Sequence, residues 1–515
     1  MADLNIDYAK DNEFLPQNLR AFLSQDNRVT VQTFDAYFTL FDYKNKFVLL
    51  NNWVAAKFAS GWTRMNFSTL RSGVAPRLLK IKCDKTVGKL YYQAPEDSEE
   101  DVDNVLPKDY LSKTIYEAFD KANRTGRCAL VLYKSDEDTK PYLRCYDAFR
   151  HELEFDKENN IFKAQLFLVV MDDMASNFAK YFIIEKRYYK DGKPYQKIVL
   201  RYQTYQSESA KEAKQDVLEV ENKDIPKWLK EKFKDVAFNR EQELDGYTDL
   251  GVYHIDQTAV NSKFPDSNIP EAMFVDTIDT IVMAEQGITD KEVEKELARA
   301  QVLIPEFGKD YMPNVYGALP KTQSAVAPAI SFGQNVKNPL IHKYPTKSME
   351  DSKPQNVQFE FRPDQWAFSV NEDICRLCAL VGIGVIDYDS RLLGGASQRT
   401  DDEINAMTDI TRQTVEAARN LNEPEINKML ACLCALYGLE KPVKIRWSMA
   451  SIINPSKNAL RVTQLYNAQL ISKKQALREL YPDLNENELN QIYNEIKEET
   501  SYNPEKEIIN DYNNF

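Results

Sequence analysis

With 515 residues the chain has room for about three packed units, and 43% hydrophobic, 11% aromatic and 28% charged residues exclude a disordered or fibrous protein. Sixty-six basic against 79 acidic side chains, a net charge of −13, argue against a protein that grips nucleic acid over its whole surface. Sixteen glycines disfavour chemistry built on several Gly-rich phosphate loops, and three histidines, His151, His254 and His342, leave few groups for proton shuttling.

No basic-then-apolar leader opens the sequence, and the runs LFLVVM at 166–171 and MLACLCALYGL at 429–439 fall short of the ~20 residues that span a bilayer. A cytosolic protein without a membrane helix is expected. The seven cysteines are odd in number and show no framework spacing, so free thiols in a reducing compartment are expected. Cys375-x-x-Cys378 falls among Ile374, Leu377, Leu380 and Val381, an amphipathic helix rather than a zinc turn. Cys432 and Cys434 would point about 200° apart on a helix and so cannot complete that site. No cofactor or metal is expected.

The first ~90 residues suggest a helix at WVAAKFASGW and an extended segment at RLLKIKCDKTVGKLYYQ. The run PEDSEEDVDN (95–104) has six acids in ten residues and predicts a solvated loop. A helix over 110–125 should end at Gly126 and give way to the strand CALVLY. Between 141 and 205 the β-favouring runs PYLRCYDAF, IFKAQLFLVVM, KYFIIEKRYY and QKIVLRYQTY, with the hairpin signal DGKP, predict an antiparallel sheet. Residues 207–224 are polar and predict an exposed excursion, after which order returns at LGVYHI.

A helix over 270–286 should stop at Gly287, with Thr289 and Glu292 as a capping box for a second helix and VLIPEF as the strand after it. Residues 317–355 hold five prolines, and five lysines against two acids make this stretch basic. Pro363 suits the first turn of a helix that runs to Val381 with Trp366, Val370, Ile374, Leu377 and Val381 on one stripe. A Gly-containing loop follows, then a long helix from the capping box Thr400-x-x-Glu403 to about Tyr437, with an N-E-P break at 422–424. The strand VKIRW and three short helices complete the chain, whose acidic tail from Asp483 carries nine acids and two bases. The fold class is α+β.

Catalytic signatures are missing. Gly382-x-Gly384 has Asp387 where a dinucleotide fingerprint needs a third glycine, no Gly-Lys pair is followed by Ser or Thr, and His151-Glu152 lacks a second His. The carboxylates Glu372, Asp373, Asp387 and Asp389 cluster at one helix-loop junction and leave a carboxylate-dependent glycosidase open as an alternative.

Taken in order, these pieces resemble the portal proteins of tailed bacteriophages, in the branch common in phages of low-GC Gram-positive hosts. FDKENNIFKAQLFLVVMDD, KYFIIEKRYY and QKIVLRYQTY resemble that family's wing meander. LGVYHIDQTAVN followed by SNIPEAMFVDTIDTIVMAE is similar to its entry into the first stem helix, and ARAQVLIPE to the strand beyond. FEFRPDQWAFSVNEDICRLCALVGIG through LLGGASQRTDDEI is similar to its second stem helix, Gly-rich loop and Thr-rich helix start; Thr400, Glu403 and Ile404 keep that frame, and Asp402 replaces its second Thr. NALRVTQLYNAQLISKKQALRELYPDLNENELNQIYNEIKEE resembles the C-terminal segment. The likeness covers about 110–500.

The resemblance implies a portal fold: wing 1–265, stem helix 266–300, clip 301–360, second stem helix 361–383, tunnel loop 384–399, long helix and second part of the wing 400–450, and helical crown 451–515. It implies no enzyme but a ring of twelve copies at one capsid vertex of the virion, assembled in the host cytoplasm, through which double-stranded DNA is packaged and ejected. Implied partners are other copies of itself, DNA, the large terminase, head-tail adaptor proteins, and major capsid and scaffolding proteins, with no membrane. Arg391, Gln398 and Arg399 in the loop and Glu372 and Asp373 on the helix are then the candidates to face DNA. Lys321, Lys337, Lys343, Lys347 and Lys353 are the candidates for partner docking on the clip. Another ring-forming phage head-tail or tail structural protein is the nearer alternative.

Overall fold

In the computed structural model the described residues are 73–88, 90–93, 98–134, 141–173, 176–204, 217–221, 223–233, 236–265, 269–281, 283–285, 287–288, 301–306, 341–345, 355–357, 363–389, 401–439, 441–447, 455–481, 484 and 486–501. They form an α+β chain in two compact units. One takes in the described residues of 79–273 and 401–515; the other takes in those of 73–78 and 274–400.

The chain opens with helix α1 (Val74–Val87), strand β1 (Leu90–Gln93), and helices α2 (Ser98–Val105) and α3 (Lys108–Thr125). The segment expected to be extended is therefore helical over most of its length. Leu79, Ile81 and Cys83 alternate with charged residues as in a strand, but Leu78, Leu79, Lys82, Cys83, Thr86 and Val87 are buried at helical spacing. Lys82 follows that buried face inward and donates to Gln257 Oε1 at 3.0 Å. The acidic run expected as a loop forms α2, because Val102 and Leu106, four apart, are fully buried and anchor it. Acids in its first turn suit the positive end of the helix.

α3 ends as expected at Gly126, whose φ of 92° places it outside the range L side chains favour. A Cβ there would lie 2.2 Å from the carbonyl oxygen of Pro270, so glycine is required on two grounds. Strand β2 (Arg127–Tyr133) follows, then β3 (Tyr142–Asp147), β4 (His151–Phe155), β5 (Ile161–Asp173), β6 (Ser176–Lys190) and β7 (Lys193–Thr204). The β6–β7 turn puts Asp191 and Gly192 at φ 53° and 77°, the pair of positive values that a two-residue hairpin demands. β8 (Val217–Glu219), helix α4 (Lys227–Lys232) and β9 (Glu241–Glu243) lead to β10 (Val252–Asp256). The polar excursion thus returns at 217–219 to pair with β7, beside which β9 also pairs. Strands β4 to β8 run antiparallel in order, and β4 itself had no counterpart among the expected strands.

β2 is the centre of a second antiparallel sheet ordered β10-β2-β3. Both its faces are covered, which explains the unbroken apolar run CALVLY. Ala129, Val131 and Tyr133 pack with Leu166, Ile183 and Leu200 of the six-stranded sheet. The alternate residues Cys128, Leu130 and Leu132 are buried too, on the side where the Cys145 thiol reaches Thr114 of α3.

In the second unit the chain is helical at 278–281, 283–285 and 287–288. This differs from the expected helix over 270–286 at both ends. Residues 273–277 form turns, and Gly287 lies within the helix, where an added Cβ would come within 3.2 Å of Val370. The expected capping box at Thr289 and the helix after it lie outside the described residues, as does WVAAKFASGW. Strand β11 (Gln301–Glu306) is central to a three-stranded sheet, parallel to β12 (Ile341–Pro345) and antiparallel to β13 (Gln355–Val357). Helices α5 (Pro363–Val381) and α6 (Val385–Tyr388) complete that unit.

The chain then re-enters the first unit with α7 (Asp401–Leu436), followed by β14 (Lys444–Trp447), α8 (Pro455–Asn467), α9 (Lys473–Leu480) and α10 (Glu486–Ser501). β14 closes antiparallel on β1, across more than 350 positions. α7 is continuous through the expected N-E-P break. Pro424 removes one main-chain bond, yet Ala418, Arg419 and Asn422 before it and Ile426, Met429 and Leu430 after it are all buried. Asn422 also supplies polar fastening: its carboxamide accepts from Asp256 N at 2.7 Å and donates to Asp256 O at 2.9 Å and Ala418 O at 2.8 Å. Asn422→Ala is expected to lower stability by about 1–3 kcal/mol by leaving buried backbone groups of β10 unsatisfied, read as a lower urea midpoint.

Candidate functional site

α5 is built by its sequence in a simple way. Pro363 opens it, and Val370, Ile374, Leu377, Cys378 and Val381 bury one stripe. Its end is a Schellman turn: Gly382 at φ 73° donates to Ala379 O, Ile383 donates to Cys378 O at 2.8 Å, and the Ile383 side chain is buried. The opposite face carries Gln365, Phe368, Ser369, Glu372, Arg376, Ala379 and Leu380, all exposed. Phe368 at 71% and Leu380 at 54% exposure make this face apolar at its ends and charged at its middle.

Glu372 is exposed at the centre of that face and Asp373 is half-buried beside it. Among the described residues neither is held by an ion pair or hydrogen bond. The Cys375-x-x-Cys378 pair lies on the helix as expected, with Cys375 partly exposed and Cys378 buried. Burial pushes the Cys378 thiol up to about 12, and burial followed by the Glu372 carboxylate raises that of Cys375. Thiols held protonated are poor nucleophiles and poor metal ligands. Among the described residues no three His, Cys, Asp or Glu side chains converge as a metal site, and no helix is long and apolar enough to cross a membrane.

Past the Schellman turn, α6 directs the chain toward residues 390–400. Two residues absent from the sequence-based candidates brace it. The Arg77 guanidinium donates to Tyr388 O at 2.7 Å and sits 4.6 Å over the Tyr388 ring. With 311 positions between them, no local pattern joins the two. Asp387 and Asp389 are half-buried on this turn. Arg391, Gln398, Arg399 and Thr400 lie outside the described residues, as do Lys321, Lys337, Lys347 and Lys353. Lys343 falls on β12, opposite Ile304 of β11. The structure thus describes Glu372 and Asp373 on one helix and Lys343 on one strand of the same unit.

No protein-family model matches the chain, and no curated protein matches it. Solved structures do. A chain from the virion of a native gene transfer agent (GTA) particle is 8% identical, with 79% of this chain and 89% of that chain covered and a TM-score of 0.38. A chain from the neck of an empty GTA particle computed with C6 symmetry is 10% identical, over 79% and 90%, at a TM-score of 0.39. A chain from the neck of a native GTA particle computed with C12 symmetry is 10% identical over the same shares, at 0.37.

Proposed function

We propose that this chain is the repeating subunit of a phage portal, a ring of twelve copies at one capsid vertex through which double-stranded DNA enters and leaves. The observation that carries this reading is the order of elements. The described residues of 274–400 form a unit inserted between the two parts of the β-rich one, and they run helix, small sheet, helix α5 and α6 before a 36-residue helix re-enters the first unit. This is the succession that the resemblance implies for stem, clip, stem, tunnel loop and returning wing helix. We assign 1–265 and 400–450 to the wing, 266–300 and 361–383 to the stem, 301–360 to the clip, 384–399 to the tunnel loop and 451–515 to the crown.

The charge supports the same reading. Lys and Arg that grip phosphates release counterions and anchor a duplex, which a conduit must avoid. Twelve copies would multiply the net −13 per chain, and Glu372 stands exposed on α5 with no ion pair or hydrogen bond among the described residues. In this assignment Glu372 and Asp373 face the lumen, Arg391, Gln398 and Arg399 make transient contacts from the loop, and Lys321, Lys337, Lys343, Lys347 and Lys353 meet the terminase or adaptor. Capsid and scaffolding proteins surround the ring. Packaging force comes from the terminase, and the subunit itself performs no catalysis.

Negative-stain images and native mass of the purified protein test the ring. Twelve copies of 59.5 kDa should give a particle of about 0.7 MDa with a central hole. A monomer or compact dimer that persists with its capsid partners present would overturn the proposal. Glu372→Lys/Asp373→Lys should assemble as the parent does and slow DNA packaging severalfold, measured as DNA protected per capsid over time. Packaging at the parent's rate would remove these two residues from the channel.

A further inference from the structure

Among the described residues the sheet β10-β2-β3 ends in two strands with no strand beyond them, and main-chain hydrogen bonding alternates along each. Leu132 N donates toward β10, to Gly251 O at 2.8 Å, so its β3 neighbour Leu143 turns its own N–H and C=O outward. Cys145 and Asp147 share that parity.

These outward groups are met by side chains of α3 and by the chain's own backbone. Leu143 N donates to the Tyr110 hydroxyl at 3.1 Å, and the same hydroxyl donates to Leu143 O at 3.3 Å. Lys121 Nζ donates to Cys145 O at 2.7 Å, and Arg150 N to Asp147 O at 2.9 Å. One hydroxyl that both accepts from and donates to the same residue reproduces the exchange an adjacent strand would make. The far edge is closed by the same device: the Asn422 carboxamide bonds both N–H and C=O of Asp256 on β10. There the cover is deeply buried, whereas on β3 it lies at the surface, with Tyr110 38% exposed.

We propose that Tyr110 and Lys121 guard the β3 edge against strand addition by a second copy of this chain. An open edge of N–H and C=O groups is a template for another strand. β3 suits itself as that partner. Antiparallel pairing of two copies about Cys145 sets outward Leu143 opposite outward Asp147 and Arg144 opposite Tyr146, with no like charges facing. The inference stands on the β3 edge alone and does not depend on the assignment as a portal.

Tyr110→Phe/Lys121→Met keeps the ring and the aliphatic stem while removing all three bonds to β3. Sedimentation velocity with thioflavin fluorescence should show at least a threefold larger share of mass, beyond the parent's own assembly state, in dye-positive species. Adding Cys145→Pro, which removes an outward N–H from an edge strand where proline is tolerated, should return the distribution to the parent's. An unchanged distribution in the double variant would overturn the proposal. So would association that persists with Cys145→Pro, the result expected if the two side chains only support folding. Should the double variant melt well below the parent, Tyr110→Phe alone is read against the same two outcomes.

Discussion

Arg187→Met is expected to cost about 3–5 kcal/mol, the scale for removing one member of a buried charged pair. Arg187 has no exposed surface and Glu185 is 3% exposed, two positions away on β6. The guanidinium donates to Glu185 Oε1 at 2.7 Å, to Leu250 O at 2.9 Å and to Leu132 O at 3.1 Å, and it stacks 4.7 Å over the Tyr133 ring. Burial, the largest single influence, pushes this group's pKa down; the Glu185 carboxylate, Tyr133 and Tyr247 together outweigh it and hold the guanidinium above its usual value. Glu185 also accepts from the Tyr133 hydroxyl at 2.8 Å. Taking away the cation leaves a carboxylate uncompensated in the core and takes from Leu250 O the guanidinium that donates to it, while Leu132 O keeps the Tyr247 hydroxyl at 3.3 Å. Glu185→Gln added to Arg187→Met removes the stranded charge and keeps an acceptor for Tyr133, so it should recover part of the loss. Chemical denaturation of the three proteins checks this, and a cost below about 1 kcal/mol for the single variant would refute the buried-pair account.

Neither Arg187 nor Asn422 was legible in the sequence, and the reason is the same for both. KRYYK looks like the charged end of a strand and N-E-P like a helix break, because local pattern registers polarity and not what the rest of the fold brings opposite. The elements that were legible carry their own punctuation: α3 with Gly126, the Asp191-Gly192 turn, and α5 from Pro363 to Val381. Where charge and burial disagree, the reading failed. Over α1, charged residues alternate with apolar ones as in a strand although Lys82 is buried, and over α2 six acids in ten residues mask the one buried Val102. Long-range closures were beyond local pattern altogether: β14 on β1, β10 beside β2, and the brace of Arg77 on Tyr388. For the candidate site, the stripe that buries Val370, Ile374 and Leu377 also fixes Glu372 as exposed, so its exposure was legible. What it faces was not, since an exposed acid is the same in sequence whether it meets solvent, DNA or a neighbouring subunit.

Acidification should weaken the fold well before most carboxylates protonate, and His151 accounts for the largest single part. It sits buried at the start of β4, where a backbone carbonyl can only accept; the ring therefore donates from Nδ1 to Tyr146 O at 3.1 Å and Nε2 is left without a proton. Burial, followed by the charge of Arg127, lowers its pKa to about 4. In the unfolded chain the same ring titrates near 6.5. Between those values the unfolded state binds a proton that the folded state refuses, so stability falls as pH drops below about 6.5 and this contribution is fully lost near the folded pKa, about 3 kcal/mol in all. His254 acts in the same direction. It is buried with Nε2 3.6 Å from Asp256 and Nδ1 3.5 Å from Glu425, and burial lowers its pKa even though both carboxylates oppose that and only Arg127 and Lys428 reinforce it. His151→Gln, which keeps a donor for Tyr146 O, should flatten the decline between pH 6.5 and pH 4 relative to the parent. Urea midpoints across that window give the difference directly. Parallel curves for parent and variant would mean that His151 is already charged in the fold, and the buried neutral imidazole would have to be abandoned.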